Sequence, residues 1–373
     1  MENELGITGD SRDRSSLAEA AWAKPVPNDL MSFLTKNKAS LLPELQEVWG
    51  RNGYKISGTW AEVFGEDARA DEIFMAYFYA RDANRIIQAG KAELNIPMYI
   101  NAWIYGVTGT PNPGTYPSGG PVARVMDIYH AAAPASDFLA PDIYDKEFKE
   151  FCALYTRAGN PLFFPESRNI PANYLYAIGK HSAMGYSVFG VEDASAEGQF
   201  ANLNKLLGGF NAQLAAWQAA GKVTAMLADS DQPETVSLGG YKITIGRSGF
   251  GRGGRGPAGA AAPGGTAAPA APPAPLGTNC GGAFNACETP DTRPFALVAN
   301  IAPDEFLFVG SNCTPTFAAE SGPGRAVVGY KDEGRYENGK WIPGRRLNGD
   351  DGGRGLPGNG VIGMLRVRLF RLE

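Results

Sequence analysis

The sequence predicts an α/β fold: a partial (β/α)8 TIM barrel, holding about strands four to eight, followed by an antiparallel β-sandwich. Up to about residue 220, short apolar runs alternate with helical periods, as in a parallel sheet with crossover helices. Polar or aromatic residues close each apolar run at the same end, which favours a closed barrel over a doubly wound open sheet, because a barrel gathers such groups at the carboxyl ends of its strands. Beyond Lys222 the runs become short and alternating and are separated by turn residues, the pattern of a sandwich. Residues 1–221 are therefore expected to form the C-terminal portion of a barrel and residues 222–373 the sandwich domain.

The opening run Met1-Glu2-Asn3-Glu4-Leu5-Gly6 reads as the end of a core strand. The chain is accordingly expected to be a C-terminal fragment or a truncated gene product, with strands one to three and their share of the barrel lying outside it. Asp29 to Phe33 and Ser40 to Gly50 read as helices, the second with Ser40 as N-cap and a close near Gly53. A long helix is expected from Ala70 to Leu94, where Ile73, Tyr77, Ala80, Asn84, Ile87 and Lys91 recur at helical spacing. Ile96 to Trp103 reads as a buried strand, then a Gly/Pro-rich loop from Gly106 to Pro121, a helix from Val122 to Ala133 and a strand from Asp137 to Tyr144. Lys146 to Arg157 is helical, Pro161 to Glu166 a strand, Ala172 to Met184 a helix, Tyr186 to Val191 a strand and Gln199 to Ala220 a helix. The sandwich strands are read at Val223–Leu227, Tyr241–Ile245, Phe295–Ala299, Glu305–Val309, Arg325–Tyr330 and Val361–Leu369. Between Gly246 and Pro294 the chain is rich in Gly, Ala and Pro. Such a stretch buries too little apolar surface to offset its ordering entropy, so a disordered insertion is expected there.

Composition narrows the chemistry. With 44% hydrophobic and 20% charged residues the chain belongs among ordinary globular proteins. A net charge of -5 gives no electrostatic footprint for nucleic acid or an anionic membrane, and no run approaches the roughly 18 apolar residues of a membrane span. Neither nucleic acid nor membrane is expected as a partner. Gly249-Phe250-Gly251-Arg252-Gly253-Gly254 has the G-x-G-x-x-G spacing, but Pro257 follows where a phosphate-binding fingerprint needs a helix. Its arginines are too few for a basic patch. Asn312-Cys313-Thr314 matches the glycosylation sequon, a signal of low specificity. Cys152 falls in a helical stretch; Cys280, Cys287 and Cys313 offer one disulfide, between Cys280 and Cys287 or between one of them and Cys313. The cysteines lack zinc-type pairing, and the two histidines, His130 and His181, are isolated in helices, so no metal is expected. No cofactor is expected either, since nucleophile-elbow and P-loop motifs are absent from the sequence. Carboxylates remain. Glu166 directly follows the apolar run Pro161-Leu162-Phe163-Phe164-Pro165, and Glu4 ends the first strand. Two acids facing one cleft suffice for glycosidic bond cleavage.

Several motifs together resemble a known family. Glu2 to Gly6 followed by Gly9-Asp10-Ser11-Arg12-Asp13-Arg14, then Ile96 to Trp103, Tyr116-Pro117-Ser118-Gly119-Gly120-Pro121, Ala140-Pro141-Asp142-Ile143-Tyr144 and Asn160 to Glu166 resemble the second half of family 35 glycoside hydrolases, in particular the bacterial β-galactosidase branch. Pro303 to Phe306 and Trp341 to Asp350 resemble the β-sandwich domain appended in that branch. The resemblance implies a retaining double displacement on terminal β-galactose of an oligo- or polysaccharide. It implies Glu4 as general acid/base and Glu166 as nucleophile, with their carboxyl groups about 5 to 5.5 Å apart. Asn3 would bind the sugar 2-OH, Tyr144 would hydrogen-bond Glu166 and hold it ionised, and Trp103 and Tyr116 would stack on the sugar; the plainer readings are structural hydrogen bonds for Asn3 and Tyr144 and packing for the two aromatics. A periplasmic or secreted setting is implied too. With strands one to three outside the chain, weak or no hydrolysis by this polypeptide alone is expected. The alternatives are a non-catalytic carbohydrate-binding remnant and a related β-glycosidase of other sugar specificity.

Overall fold

A computed structural model describes residues 9–105, 111–228, 232–247, 291–322 and 324–372. Helices and sheets are mixed, and the sheets include an antiparallel one of six strands. The chain divides into two compact units: Met1–Arg168 with His181–Val188, and Asn169–Lys180 with Phe189–Glu373.

The first unit opens with helices α1 (Ser16–Trp22), α2 (Asn28–Asn37), α3 (Pro43–Arg51), α4 (Trp60–Phe64) and α5 (Ala68–Glu93). Asp67 caps α5 by accepting the Arg69 and Ala70 N–H groups, each at 3.0 Å, which satisfies two of the donors that a helix start leaves open. Ile73, Tyr77, Ala80 and Ile87 lie on its buried face, as their spacing predicts. Ser40 is not an N-cap. Its hydroxyl donates to the Asn37 carbonyl, and α3 starts later, with Pro43 in its first turn and Leu42 as cap residue. Proline there loses no bond, because the first helical N–H has no intrahelical acceptor.

Along the chain, strand and helix then alternate through β1 (Tyr99–Ala102), α6 (Met126–Ala132), β2 (Phe138–Pro141), α7 (Phe148–Tyr155), β3 (Phe164–Ser167), α8 (Pro171–His181) and β4 (Tyr186–Val188), of which α8 up to Lys180 belongs to the second unit. The pairs β1–β2 and β3–β4 are parallel. A parallel bridge joins Ile143, just past β2, to Ser167, and the Ile143 N–H donates to the Glu166 carbonyl at 3.0 Å. The register sets Asn101 beside Ala140 and Ala102 beside Pro141. Residues 101–103, 142–144 and 166–168 therefore lie at the carboxyl ends of neighbouring parallel segments.

In the second unit the expected helix from Gln199 to Ala220 is two helices, α9 (Gln199–Gly208) and α10 (Asn211–Ala219). The break falls at Gly209, where a Cβ would collide with the Tyr336 carbonyl oxygen, and at Phe210, which is buried and packs against the Tyr336 ring with centroids 5.1 Å apart. The strands are β5 (Val223–Leu227), β6 (Glu234–Leu238), β7 (Tyr241–Arg247), β8 (Phe295–Ala302), β9 (Glu305–Ser311), β10 (Cys313–Ala319), β11 (Arg325–Glu337), β12 (Lys340–Arg346) and β13 (Gly363–Leu372). They form a six-stranded sheet in the order β12-β11-β13-β9-β8-β5 and a three-stranded sheet in the order β10-β7-β6. Tyr241, Ile243 and Ile245 of the smaller sheet share one apolar cluster with Val298, Phe306, Phe308, Leu365, Val367 and Leu369 of the larger.

Three strands escaped the sequence reading: β6, β10 and β12. All three are edges. Edge strands tolerate proline and carry polar or charged residues that discourage pairing with other chains, so Pro315 in β10 and the Lys340-to-Arg346 run of β12 erase the alternation that a half-buried strand would display.

The stretch 246–294, expected as a disordered insertion, is ordered at both of its ends. Gly246 and Arg247 complete β7 opposite Thr314 and Cys313, while Asp291 is buried and paired with Arg293 at 2.8 Å. The remainder of that stretch, residues 248–290, with its glycine-rich motif, Cys280 and Cys287, lies outside the described residues. Cys313 is a free thiol, buried beside the Phe295 carbonyl, so it forms no bridge; burial pushes it up to about 12. The side-chain amide of Asn312 donates to the Asp291 and Arg293 carbonyls at 2.6 and 3.1 Å, which occupies the nitrogen that a glycan would need.

Candidate functional site at the carboxyl ends of the parallel strands

Glu166 lies near the end of β3, half-buried, where the strand leaves the apolar pair Leu162 and Phe164. Tyr144 donates its hydroxyl to Glu166 Oε2 at 2.7 Å. The tyrosine is held from behind, since Arg168 Nε donates to the Tyr144 carbonyl at 2.7 Å, and the Arg168 carbonyl in turn accepts from the Tyr186 hydroxyl at 2.7 Å. Burial and the Glu166 carboxylate both push the Tyr144 phenol well above its ordinary range. It therefore stays protonated, a donor to the carboxylate, across neutral and mildly alkaline pH.

One strand over, Asn101 donates to Asp142 Oδ2 at 2.7 Å, and the Asp142 N–H donates to the Ala102 carbonyl. Trp103 follows with 48% of its surface exposed, its carbonyl accepting from the buried Tyr155 hydroxyl at 3.4 Å. Such a row of carboxylate, amide, phenol and open indole ring can hold a polyhydroxylated ligand and present an acidic oxygen to it.

Tyr116 sits elsewhere than a stacking platform would. Only 5% of it is exposed, its ring lies against Tyr105 at 5.3 Å, and its hydroxyl donates to the buried Glu72 at 2.6 Å. Arg124 approaches the same carboxylate at 4.0 Å and covers the Tyr105 ring at 4.3 Å. Burial raises Glu72 above the usual carboxylate value against the opposing pull of the Tyr116 hydroxyl and Arg124. Nothing in the sequence singled out Glu72 or Arg124. Each lies inside a helical period, where an ionisable residue ordinarily faces water.

Residues 200–357 match the model of a domain of unknown function (DUF5597). No curated protein matches the chain. The matched segment spans α9, α10 and the strands up to β12 and ends before β13; Tyr144, Glu166 and Trp103 precede it.

Of the expected site residues, Tyr144 and Glu166 are brought into contact, and Trp103 lies on the neighbouring segment end. Asn3 and Glu4 lie outside the described residues. Asn101, Asp142 and Arg168 join this rim without a sequence signal of their own beyond the place of Asp142 in the run Ala140 to Tyr144. Among the described residues no cluster of His, Cys, Asp and Glu could hold a metal ion, and no helix is long and apolar enough to cross a membrane. His130 lines a cavity of about 240 Å³ at the amino end of β2 with Tyr129, Ser136 and Phe138. That is the end of the strand opposite Asp142, and burial holds the imidazole below its ordinary value.

Proposed function

We propose that this chain carries the nucleophile half of a retaining β-galactosidase-type glycoside hydrolase of family 35, on a (β/α)8 frame of which β1 to β4 are consecutive strands. The observation that carries the reading is the 2.7 Å hydrogen bond from Tyr144 to Glu166 at the carboxyl end of β3. In this reading Glu166 attacks the anomeric carbon of a terminal β-galactosyl unit while the glycosidic C–O bond breaks and the departing oxygen takes the proton of Glu4. A water molecule then gives its proton to Glu4 and attacks the same carbon, which frees Glu166. Tyr144 keeps the nucleophile oriented, and Asn3 hydrogen-bonds the 2-OH, an interaction that strengthens in the oxocarbenium-like transition state. Trp103 offers its exposed ring to the sugar's C–H face. The row of polar groups at the ends of β1, β2 and β3 supports this assignment, because barrels place their chemistry there.

Because the sequence reading expects weak steady-state hydrolysis by this polypeptide, the test is single-turnover labelling. The chain is incubated with 2,4-dinitrophenyl 2-deoxy-2-fluoro-β-galactoside, which forms a slowly hydrolysed ester with a glycosidase nucleophile, and the digested protein is mapped by mass spectrometry. One fluorogalactosyl group on the peptide containing Glu166, absent in Glu166→Gln, is expected. No label, or a label on another carboxylate, would overturn the assignment.

A further inference from the structure

We infer that Asp71 and Glu72 of α5 form a two-sided anchor that makes the segment 9–14 and the loop 111–121 move as one body. Neighbouring residues on a helix point about 100° apart, so adjacent acids reach different partners. Asp71 takes the first segment: its Oδ1 accepts Arg12 Nε at 2.9 Å, and its Oδ2 accepts the Ser11 hydroxyl and Arg14 Nη2, each at 2.9 Å. Glu72 takes the loop through the Tyr116 hydroxyl at 2.6 Å. Arg124, beside Glu72, donates to the Pro111 carbonyl at 3.1 Å.

A direct contact closes the circuit. Gly114 has φ of +97° and lies so near Gly9 that a Cβ on it would come within 2.8 Å of the Gly9 carbonyl oxygen. The two segments thus touch backbone to backbone while each is tied to the same turn of α5. The acids are 5% and 1% exposed, and a buried carboxylate is costly unless its partners stay in place. Loosening either partner set leaves a charge poorly satisfied, and the Gly9–Gly114 contact passes the disturbance across. If the reading given under Proposed function holds, Asp71 is a positioning residue for it, since the segment it holds continues the chain from Glu4, and Glu72 acts on that segment through the Gly9–Gly114 contact.

The test is backbone hydrogen exchange of the intact chain, which depends on no sugar chemistry. Tyr116→Phe deletes only the hydroxyl on Glu72, and Asp71→Asn weakens only the other side; Ser11→Ala replaces the latter should Asp71→Asn not fold. Each variant is expected to raise exchange about fivefold or more in both segments, the scale of losing a hydrogen bond to a charged group, with β1 and β2 unchanged. Exchange that rises only in the segment whose own bond was removed, or in neither, would sink the coupling. Coupled exchange without Glu166 labelling would instead leave the anchor standing and remove the glycosidase reading alone.

Discussion

At the carboxyl ends of the parallel strands the chain passes from apolar residues into Asn101, Asp142 and Glu166, whereas in the antiparallel sheet every residue of β9 from Glu305 to Ser311 is buried and its neighbours supply Val298, Leu365 and Val367. The unit that holds these strands also buries Arg12, Asp71, Glu72, Arg124 and Asp127, and the second unit buries Asp291, Glu305 and Lys331; the cluster shared by the two antiparallel sheets is itself built from apolar side chains. The difference teaches where each region's specificity comes from. Packing holds the antiparallel sheets, and truncating a side chain there leaves a cavity. The parallel-strand rim is held by directional bonds to charged groups, which fix positions to a few tenths of an ångström but contribute modest net stability.

Three measurements break or sharpen this contrast. The largest effect is expected from Phe308→Ala, which empties a fully buried site between the two antiparallel sheets. It should cost about 3–5 kcal/mol in urea unfolding, and a loss below about 1 kcal/mol would mean that this cluster is not the packed core it is taken for. Next is Tyr144→Phe. Removing the 2.7 Å donor to Glu166 should slow fluorogalactosyl labelling about ten- to a hundredfold, the kinetic scale of a bond to a charged group, while the urea midpoint stays within error. An unfolding shift as large as that of Phe308→Ala would erase the distinction between the regions.

The smallest effect concerns Glu305, the one acid in β9. Burial pushes its carboxyl up, but hydrogen bonds from Arg366 Nε at 2.6 Å and the Tyr330 hydroxyl at 2.8 Å outweigh burial and leave it below its ordinary value. A folded-state value below the unfolded one means that the stabilisation is present above the unfolded pKa and is lost as pH falls through the folded one. Glu305→Gln should therefore lower the urea midpoint at pH 7 and match the unchanged protein once pH falls well below about 4. A gap of equal size at both pH values would assign the stabilisation to packing rather than charge.

Part of this architecture is legible in the sequence. The β1-to-β4 alternation could be read because buried parallel strands are continuous apolar runs and their helices repeat every 3.6 residues. Boundaries were less legible. Ser40 looks like a helix cap, but Pro43 offers a better start two residues after Leu41, and Asp127, distant in sequence, holds the Leu42 N–H at 2.6 Å. The helix from Gln199 is cut at Gly209 because the Tyr336 backbone lies there. Edge strands β6, β10 and β12 stayed hidden because an edge needs only one paired side and a few apolar anchors, such as Val236, Leu238 and Phe317. At the rim, the contact between Glu166 and Tyr144 joins the ends of two runs that the sequence reads as strands. The burial of Tyr116 against Glu72 has no local signal, because its acceptor is 44 positions away.

The sequence by itself determined the alternation of strand and helix from β1 to β4, the change of pattern near Lys222 and the carboxylate at the end of β3, since periodicity and local transitions from apolar to polar are properties of neighbouring residues. Only the tertiary structure decided which polar groups meet: Asn101 with Asp142, Arg12 with Asp71, Tyr116 with Glu72. Those pairings join residues 41 to 59 positions apart, and a buried charge selects its partner by distance and desolvation in the folded chain, which no local pattern encodes.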